Sequence, residues 1–254
     1  MKTFLSVDLG AGSGRVIAAR YDGRRVVMET VNRFDNTPVE FNGHIFWNIP
    51  SLLSNIRAGL IAGKEKFGEI AAVGVDTWGV DYALMDKSGR MLSLPYAYRD
   101  SRNNAQNTQK VFEKVGRQAL YLSTGIQFMD FNTVFQLNAE LDEIDSLLPK
   151  ADRLLFIPDL INFALCGVMA NEATIASTSQ IIDVQTRDWC RPLLGKLGIP
   201  TSLFSPPVQP GTMLGKLRGL SGMENTPVAV VGGHDTASAV ASVPSDPATS
   251  WGYL

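Results

Sequence analysis

Residues 4–21 read Phe-Leu-Ser-Val-Asp-Leu-Gly-Ala-Gly-Ser-Gly-Arg-Val-Ile-Ala-Ala-Arg-Tyr, which is an apolar run, a glycine-rich turn and a second apolar run. We interpret residues 4–7 and 15–21 as two strands, because turn residues bound both runs. The pair Asp22-Gly23 then predicts a tight turn into a third strand over residues 26–34. Three strands joined by such short turns predict antiparallel neighbours.

The rest of the chain alternates between helical and strand patterns. We expect a helix starting at Pro50 and Ser51, a polar helix over 103–115 and a mainly helical stretch over 132–164. Further strands are predicted at 70–75, 82–85 and 228–231, a loop region at 173–189 and a short helix at 236–241. This order predicts an α/β domain with a mixed sheet, which suits an actin-like, ribonuclease-H-like ATPase fold.

The glycine-rich turn has the composition of a phosphate-binding loop. Three glycines let the backbone approach a ligand closely and turn its amides inward. Ser13 adds a hydroxyl, and Arg15 adds a guanidinium suited to phosphate. Asp8 comes at the end of the first strand, where a carboxylate can hold Mg²⁺ directly or through water.

Other interpretations of this turn were weighed. A dinucleotide-binding fingerprint needs a helix after the glycines, whereas residues 15–21 indicate a strand. A Walker loop needs a Gly-Lys-Ser/Thr sequence, and the turn contains no lysine. A plain hairpin turn without a ligand stays open as the alternative to phosphate binding.

A second candidate site follows the late strand, in the sequence Gly232-Gly233-His234-Asp235-Thr236. Two glycines before a helix place the next side chains at the edge of a cleft. A carboxylate there can accept the proton of a substrate hydroxyl as that hydroxyl attacks phosphorus. The alternative is that Asp235 only caps the helix, since Asp is a favoured N-cap residue.

A third cluster of polar and aromatic residues joins the strands at 70–75 and 82–85. Trp78 could stack on the apolar face of a sugar, and Gly79 lets a ligand pack against the backbone. Asp76 and Asp81 offer acceptors for hydroxyl groups. The alternative for Trp78 is a role as an anchor in the core.

Composition excludes several classes of function. The formal net charge of the 254 residues is −2, so the chain lacks the basic excess of a duplex-DNA binder or of a protein held electrostatically at a membrane. The sequence has no apolar run of membrane-spanning length and no signal-peptide pattern, so we expect a cytoplasmic protein. With two cysteines and two histidines, a Cys/His metal cluster is excluded, and we expect Cys166 and Cys190 to be buried thiols.

These segments together resemble the FGGY carbohydrate kinases, and most of all the members that phosphorylate L-rhamnulose. The resemblance rests on residues 8–15, 76–81, 98–102, 125–128, 131–133 and 233–240. It implies transfer of the γ-phosphoryl group of ATP to the 1-hydroxyl of the ketose, with Mg²⁺. It implies that Asp235 is the proton acceptor and that Asp8 helps to hold the metal. It also implies ketose contacts from Gly79, His234, Asp235 and Thr236, and ATP contacts from Ala11, Gly12, Ser13, Gly14 and Arg15.

The resemblance further implies a division of the chain. Residues 1–244 would form the sugar-binding N-terminal domain, and residues 245–254 would begin a C-terminal ATP-binding lobe. Three alternatives stay open: a sugar-binding fragment without catalysis, a related kinase acting on L-fuculose or D-xylulose, and an Asp-containing phosphohydrolase.

Overall fold

The computed structural model describes residues 1–246 and 248–252. Its strands, in chain order, are β1 (Lys2–Leu9), β2 (Ser13–Tyr21), β3 (Val26–Asp35), β4 (Val39–Phe41), β5 (His44–Phe46), β6 (Ala72–Thr77), β7 (Tyr82–Met85), β8 (Arg153–Phe156), β9 (Asn171–Glu172), β10 (Pro207–Val208), β11 (Met213–Lys216) and β12 (Pro227–Ala229). Its α-helices are α1 (Ile49–Phe67), α2 (Ala105–Val115), α3 (Arg117–Thr124), α4 (Thr133–Asp142), α5 (Ile157–Cys166), α6 (Ala173–Ser177), α7 (Arg191–Leu197) and α8 (Asp235–Ala241). Two short 3₁₀ helices cover Leu148–Lys150 and Thr201–Leu203.

The fold contains a six-stranded mixed sheet with the strand order β3-β2-β1-β6-β12-β11. Strands β1, β2 and β3 are antiparallel neighbours, as the tight turns predicted. Strand β6 runs parallel to β1, and β12 runs parallel to β6, while β11 is antiparallel to β12. The predicted mixed sheet is therefore confirmed, and three parallel strands direct their carboxyl ends to the same edge.

Helices α1 and α5 cover one face of this sheet. Alternation along β1 buries Leu5, Val7 and Leu9 on that face. Helix α1 comes so close that a Cβ on Gly59 would lie 2.5 Å from a methyl of Val16. Asn48 starts the helix by accepting the N–H of Ser51 through its side chain, which places the start where the sequence predicted it. The opposite face is less buried and carries Asp8 toward the sheet edge.

Residues that lie between β6 and β12 in the sequence form a second hydrophobic core. The antiparallel pair of β7 and β8 packs there against α2, α4, α6 and α7 around a separate apolar cluster that includes Phe135, Phe156 and Trp189. Residues 132–164 are mainly helical, as predicted, but strand β8 interrupts them between α4 and α5. Its short apolar run, Leu154-Leu155-Phe156, has no periodicity of its own, and pairing with β7 decides its conformation.

Smaller features also bear on the predictions. Helix α6 lies within the stretch 173–189 that was expected to be loop, so that prediction was wrong for its first five residues. Both cysteines are buried free thiols, as expected. The lobe predicted to start at 245 lies partly outside the described residues. Within residues 1–246 and 248–252, no helix combines the length and apolar character that a bilayer crossing needs.

Candidate active site

The candidate site lies where three parallel strands end side by side. At the end of β6, Trp78 N–H donates to the carbonyl oxygen of Leu9 at 3.2 Å, which joins β6 to the glycine turn. On the other side, Thr77 N–H donates to the carbonyl oxygen of Gly233 at 2.9 Å, which joins β6 to residues 232–236, called the elbow below. The glycine turn and the elbow, which the sequence suggested as separate sites, therefore flank one strand end.

The glycine turn is a short loop fixed from behind. Gly10 N–H donates to the carbonyl oxygen of Ser13 at 2.9 Å. Asn36 holds the loop by two bonds, with its backbone N–H to the carbonyl of Gly12 and its side-chain amide to the carbonyl of Gly10. Asn36 is a site residue that sequence reasoning missed, since a lone Asn after a strand carries no recognisable signal.

The glycines of this loop have different surroundings. A Cβ on Gly12 would meet no atom within 4 Å, so its backbone faces open space. A Cβ on Gly14 would lie 2.4 Å from the ring of Phe34 and 2.8 Å from Leu9, so packing alone requires glycine there. In the described part of the chain, the N–H groups of Ala11 and Gly12 donate to no protein acceptor. Contact of residues 11–15 with phosphate stays a prediction, and these two amides suit it best.

Three carboxylates converge at the strand ends. Asp8 and Asp76 are direct partners on β1 and β6, and Arg15 Nε lies 3.1 Å from Asp8 Oδ2. Burial first, and then the neighbouring carboxylates of Asp8 and Asp235, raise the pKa of Asp76 to about 7, while Arg15 opposes the rise. Asp235 contributes to this rise of the Asp76 pKa. The glycine turn and the elbow therefore lie at the same sheet edge, on the two sides of the end of β6.

A cavity of about 1120 Å³ opens beside this edge. It is lined mainly by apolar atoms with a few polar groups, the usual character of a small-molecule site. All four residues predicted to touch the ketose line it: Gly79, His234, Asp235 and Thr236. Helices α6 and α8 form one wall. The loop between α3 and α4 forms another, with Ile126, Gln127, Phe131 and Asn132.

The elbow presents Asp235 at the start of α8. The residue capping the helix is His234, and Asp235 Oδ1 accepts from the N–H of its neighbour Thr236 at 2.6 Å, so the capping interpretation of Asp235 does not hold. Its side chain is 41% exposed, which leaves it accessible to a ligand in the cavity. His234 Nε2 lies 3.4 Å from Asp235 Oδ1, and burial lowers the pKa of the imidazole, so His234 is neutral at pH 7.

The loop after β6 is built around the buried carboxylate of Asp81. Its Oδ2 accepts the indole N–H of Trp47 at 2.6 Å and that of Trp78 at 3.0 Å, and Oδ1 accepts from Gln136 at 2.9 Å. Burial raises the pKa of Asp81 to about 6 against these bonds. Asp81 is 1% exposed, so it is a structural acceptor and the structure does not offer it to sugar hydroxyls. Trp78, packed on Trp47 with ring centroids 4.2 Å apart, is the core anchor of the alternative interpretation and borders the cavity as well.

Val80 marks a strained point at the cavity wall. Its φ of +68° is unfavourable for a β-branched residue, and such strain clusters at functional sites. Three side chains hold it: Val80 N–H donates to Thr178 Oγ1 at 3.0 Å, and the carbonyl oxygen accepts from Thr133 Oγ1 at 2.6 Å and from Gln136. A Cβ on Gly79 would lie 3.1 Å from Thr178, so a side chain at position 79 would disturb the bond between Val80 N–H and Thr178 Oγ1.

The site fits a nucleotide-bound Mg²⁺ better than a metal held by protein alone. Within the described residues, no group of three or more His, Cys, Asp or Glu side chains is arranged to hold a metal ion. Mg²⁺ is commonly bound by one or two carboxylates together with water and phosphate oxygens. The half-exposed carboxylate of Asp8 beside Asp76, with the free amides of the glycine loop nearby, provides such a partial ligand set.

Comparisons with known proteins agree with this picture. Residues 3–242 match the model of the N-terminal domain of the FGGY family of carbohydrate kinases. A rhamnulokinase from Bacteroides thetaiotaomicron is 40% identical over 248 residues, which cover 96% of this chain and 51% of that protein. The chain thus spans about half the length of that relative.

Solved structures of sugar kinases share the fold. A xylulose kinase from Rhodospirillum rubrum superposes with a TM-score of 0.82 at 19% identity, covering 97% of this chain and 52% of that one. The ligand-bound xylulose kinase from Lactobacillus acidophilus gives a TM-score of 0.80 at 16% identity, covering 92% and 48%. The predicted actin-like, ribonuclease-H-like fold is confirmed by these neighbours.

Proposed function

The chain belongs to the FGGY family of carbohydrate kinases, and on that premise we propose that it is the sugar-binding half of an ATP-dependent kinase acting on the 1-hydroxyl of L-rhamnulose. The observation that carries the proposal is that β1 and the Gly233 segment are hydrogen-bonded to the end of β6 from its two sides, which places the glycine turn and Asp235 at one sheet edge, with Asp235 lining the cavity. A phosphoryl group can pass between a loop and an acid only if both open onto the same cleft. The 40% identity to a rhamnulokinase supports the choice of sugar.

Each site residue has a proposed task. The sugar lies in the cavity with its 1-hydroxyl at the Asp235 carboxylate, and Gly79, His234 and Thr236 contact it. Asp235 accepts the hydroxyl proton as the oxygen bonds to the γ-phosphorus and the bond from that phosphorus to the bridging oxygen of ADP breaks. Because His234 is neutral, it adds no positive charge that would weaken Asp235 as a proton acceptor.

The glycine loop has the nucleotide task. Amides of residues 11–13 and the guanidinium of Arg15 hold phosphate oxygens, with Gly14 required for packing beneath them. Asp8, with Asp76 beside it, would hold Mg²⁺, which when bound neutralises charge on the phosphates. The family resemblance assigns the rest of the ATP pocket to a second lobe, whose closure over the first would exclude water.

The test is ADP release by the full-length kinase, this chain with the second lobe that the resemblance implies, supplied with L-rhamnulose, L-fuculose or D-xylulose. We expect L-rhamnulose to give the highest kcat/KM. We expect Asp235→Asn to lower kcat by on the order of 10²–10⁴-fold, the usual contribution of a general base. Asp145→Asn, at an exposed carboxyl outside the cavity lining, serves as the matched control.

Three outcomes would contradict the proposal in different ways. Preference for L-fuculose or D-xylulose would move the protein to a related kinase. Heat of sugar binding in calorimetry without any turnover would leave a binding protein. Phosphate release from ATP at full rate with no sugar present would indicate a phosphohydrolase.

A further inference from the structure

A buried glutamate, Glu172, lies directly behind the elbow that carries Asp235. It is 1% exposed, at the junction of β9 and α6, and it does not border the cavity. Its two carboxylate oxygens accept four hydrogen bonds. Three come from α6: the N–H of Thr174 at 2.7 Å, the hydroxyl of Thr174 at 2.7 Å and the N–H of Ile175 at 2.9 Å.

The fourth bond reaches across the chain to the elbow. Gly233 N–H donates to Glu172 Oε2 at 2.9 Å, although 61 residues separate the two. The carbonyl oxygen of the same Gly233 accepts from Thr77 at the end of β6. The elbow residue is therefore held from both sides, by the central sheet through its carbonyl and by Glu172 through its amide.

The next residue along the elbow is held by the same pair of side chains. His234 N–H donates to Thr174 Oγ1 at 3.2 Å, and that hydroxyl in turn donates to Glu172 Oε2. Two successive backbone amides before Asp235 are thus tied to Glu172, one directly and one through Thr174. A Cβ on Gly233 would lie 2.8 Å from Glu172 Oε2, so glycine is needed for this close approach.

The chemistry of the four partners requires a carboxylate. All four are donors, and an ionised glutamate is an acceptor with no donor of its own. A glutamine would turn an NH₂ group toward at least one N–H, which breaks that bond and leaves a buried donor unpaired. The backbone N–H of Glu172 is itself fixed, since it donates to the buried Asp159 Oδ1 at 3.1 Å.

We propose that Glu172 is a positioning residue that sets the place of the Asp235 carboxylate by anchoring the Gly233 and His234 amides to α6. This inference rests on the proposed function, because it assigns Asp235 the role of proton acceptor. Glu172 acts only through the elbow and has no contact with the sugar. Its loss therefore affects the step that needs Asp235 in place more than it affects sugar binding.

The test compares the full-length kinase with its Glu172→Gln and Gly233→Ala variants. A misplacement of about 1 Å can cost on the order of 10²-fold in rate, so we expect kcat for the sugar to fall by about that factor in each. KM for the sugar should stay within about threefold, since the cavity wall is kept. The double variant should lose little more than either single one, because both changes break the same contact.

Glu140→Gln is the matched control. Glu140 is also a buried glutamate, which accepts from the N–H of Leu147 at 2.8 Å and from Arg102 at 3.1 Å, and it does not line the cavity. We expect this variant to melt at a lower temperature with kcat unchanged. If Glu172→Gln does not fold, Thr174→Val, which removes the hydroxyl link and keeps the direct bond from Gly233, should still lower kcat by about tenfold; because Thr174 lines the cavity, KM of this variant is not compared.

The outcomes separate the inference from the proposed function. Wild-type protein that phosphorylates no sugar overturns both. Active wild-type protein together with a folded Glu172→Gln variant of undiminished kcat overturns the inference alone. A rise in KM with constant kcat also overturns it, because that result would give Glu172 a role in binding the sugar and not in placing the acid.

Discussion

Replacing Asp76 with asparagine should remove much of the pH dependence of stability between pH 5 and pH 8. Asp76 is 8% exposed and faces the carboxylates of Asp8 and Asp235, and its pKa rises to about 7 in the folded chain from 3.8. At a pH between the unfolded pKa of 3.8 and the folded pKa of about 7, Asp76 holds a proton in the folded state and has released it in the unfolded state. Stability must therefore fall as the pH rises from 4 to 7.

The magnitude follows from the shift. Each pKa unit corresponds to about 1.4 kcal/mol, so between pH 5 and pH 8 the release of this one proton costs the folded state about 3 kcal/mol. Above pH 7 the loss levels off, because both states are then ionised. The Asp76→Asn variant has no such proton to release. The free energy of unfolding of the variant minus that of the wild type should therefore be about 3 kcal/mol larger at pH 8 than at pH 5.

The measurement is urea denaturation of the chain at both pH values, in EDTA so that no divalent cation contributes. Comparing the two variants at two pH values cancels changes in packing that do not depend on pH. Asp145→Asn, at an exposed carboxyl, should follow the wild type at both. Asp81, with a pKa of about 6, leaves a smaller dependence in every variant. Equal losses of stability in wild type and Asp76→Asn would refute the raised pKa of Asp76 in the folded chain.

Two further predictions concern folding of the loops around the site. Gly14→Ala should destabilise the chain by about 1–3 kcal/mol in urea denaturation, because its Cβ would meet the ring of Phe34 at 2.4 Å. Gly12 faces open space, so Gly12→Ala should change stability by no more than about 0.5 kcal/mol and should weaken nucleotide binding in calorimetry. Equal stabilities for the Gly14→Ala and Gly12→Ala variants would contradict the packing assigned to the loop. Trp47→Phe removes a donor to the buried Asp81 and should cost about 1.5–3 kcal/mol, and an unchanged denaturation midpoint would show that the bond contributes little.

Local signals were sufficient for the sheet and for the two turns that carry chemistry. Apolar runs bounded by glycine gave β1, β2 and β3, and the tight turns gave their antiparallel pairing. The sequence Gly232-Gly233-His234-Asp235 predicted a cleft edge, because two glycines before a helix leave the next side chains prominent. These features depend on residues that are adjacent in the sequence, so they can be predicted without knowing the fold.

Long-range features were not accessible in the same way. Strand β8 forms because β7 pairs with it, and its own residues would suit a buried helix equally well. Asp81 was a candidate for sugar hydroxyls until Trp47 and Gln136, which are distant in sequence, were found on its oxygens. Glu172 carried no motif at all. Its importance follows from a contact with Gly233 that only the folded chain creates.

The pairing of β6 with β12 has a consequence for how the molecule is assembled. Val73 pairs with Val228, so more than 150 residues must be synthesised and must fold before the two strands can meet. Contacts of such high sequence separation form late and slowly. Asp235 lies more than 200 residues after the glycine turn and therefore leaves the ribosome later. A nascent chain therefore carries half of its chemistry long before it has the other half.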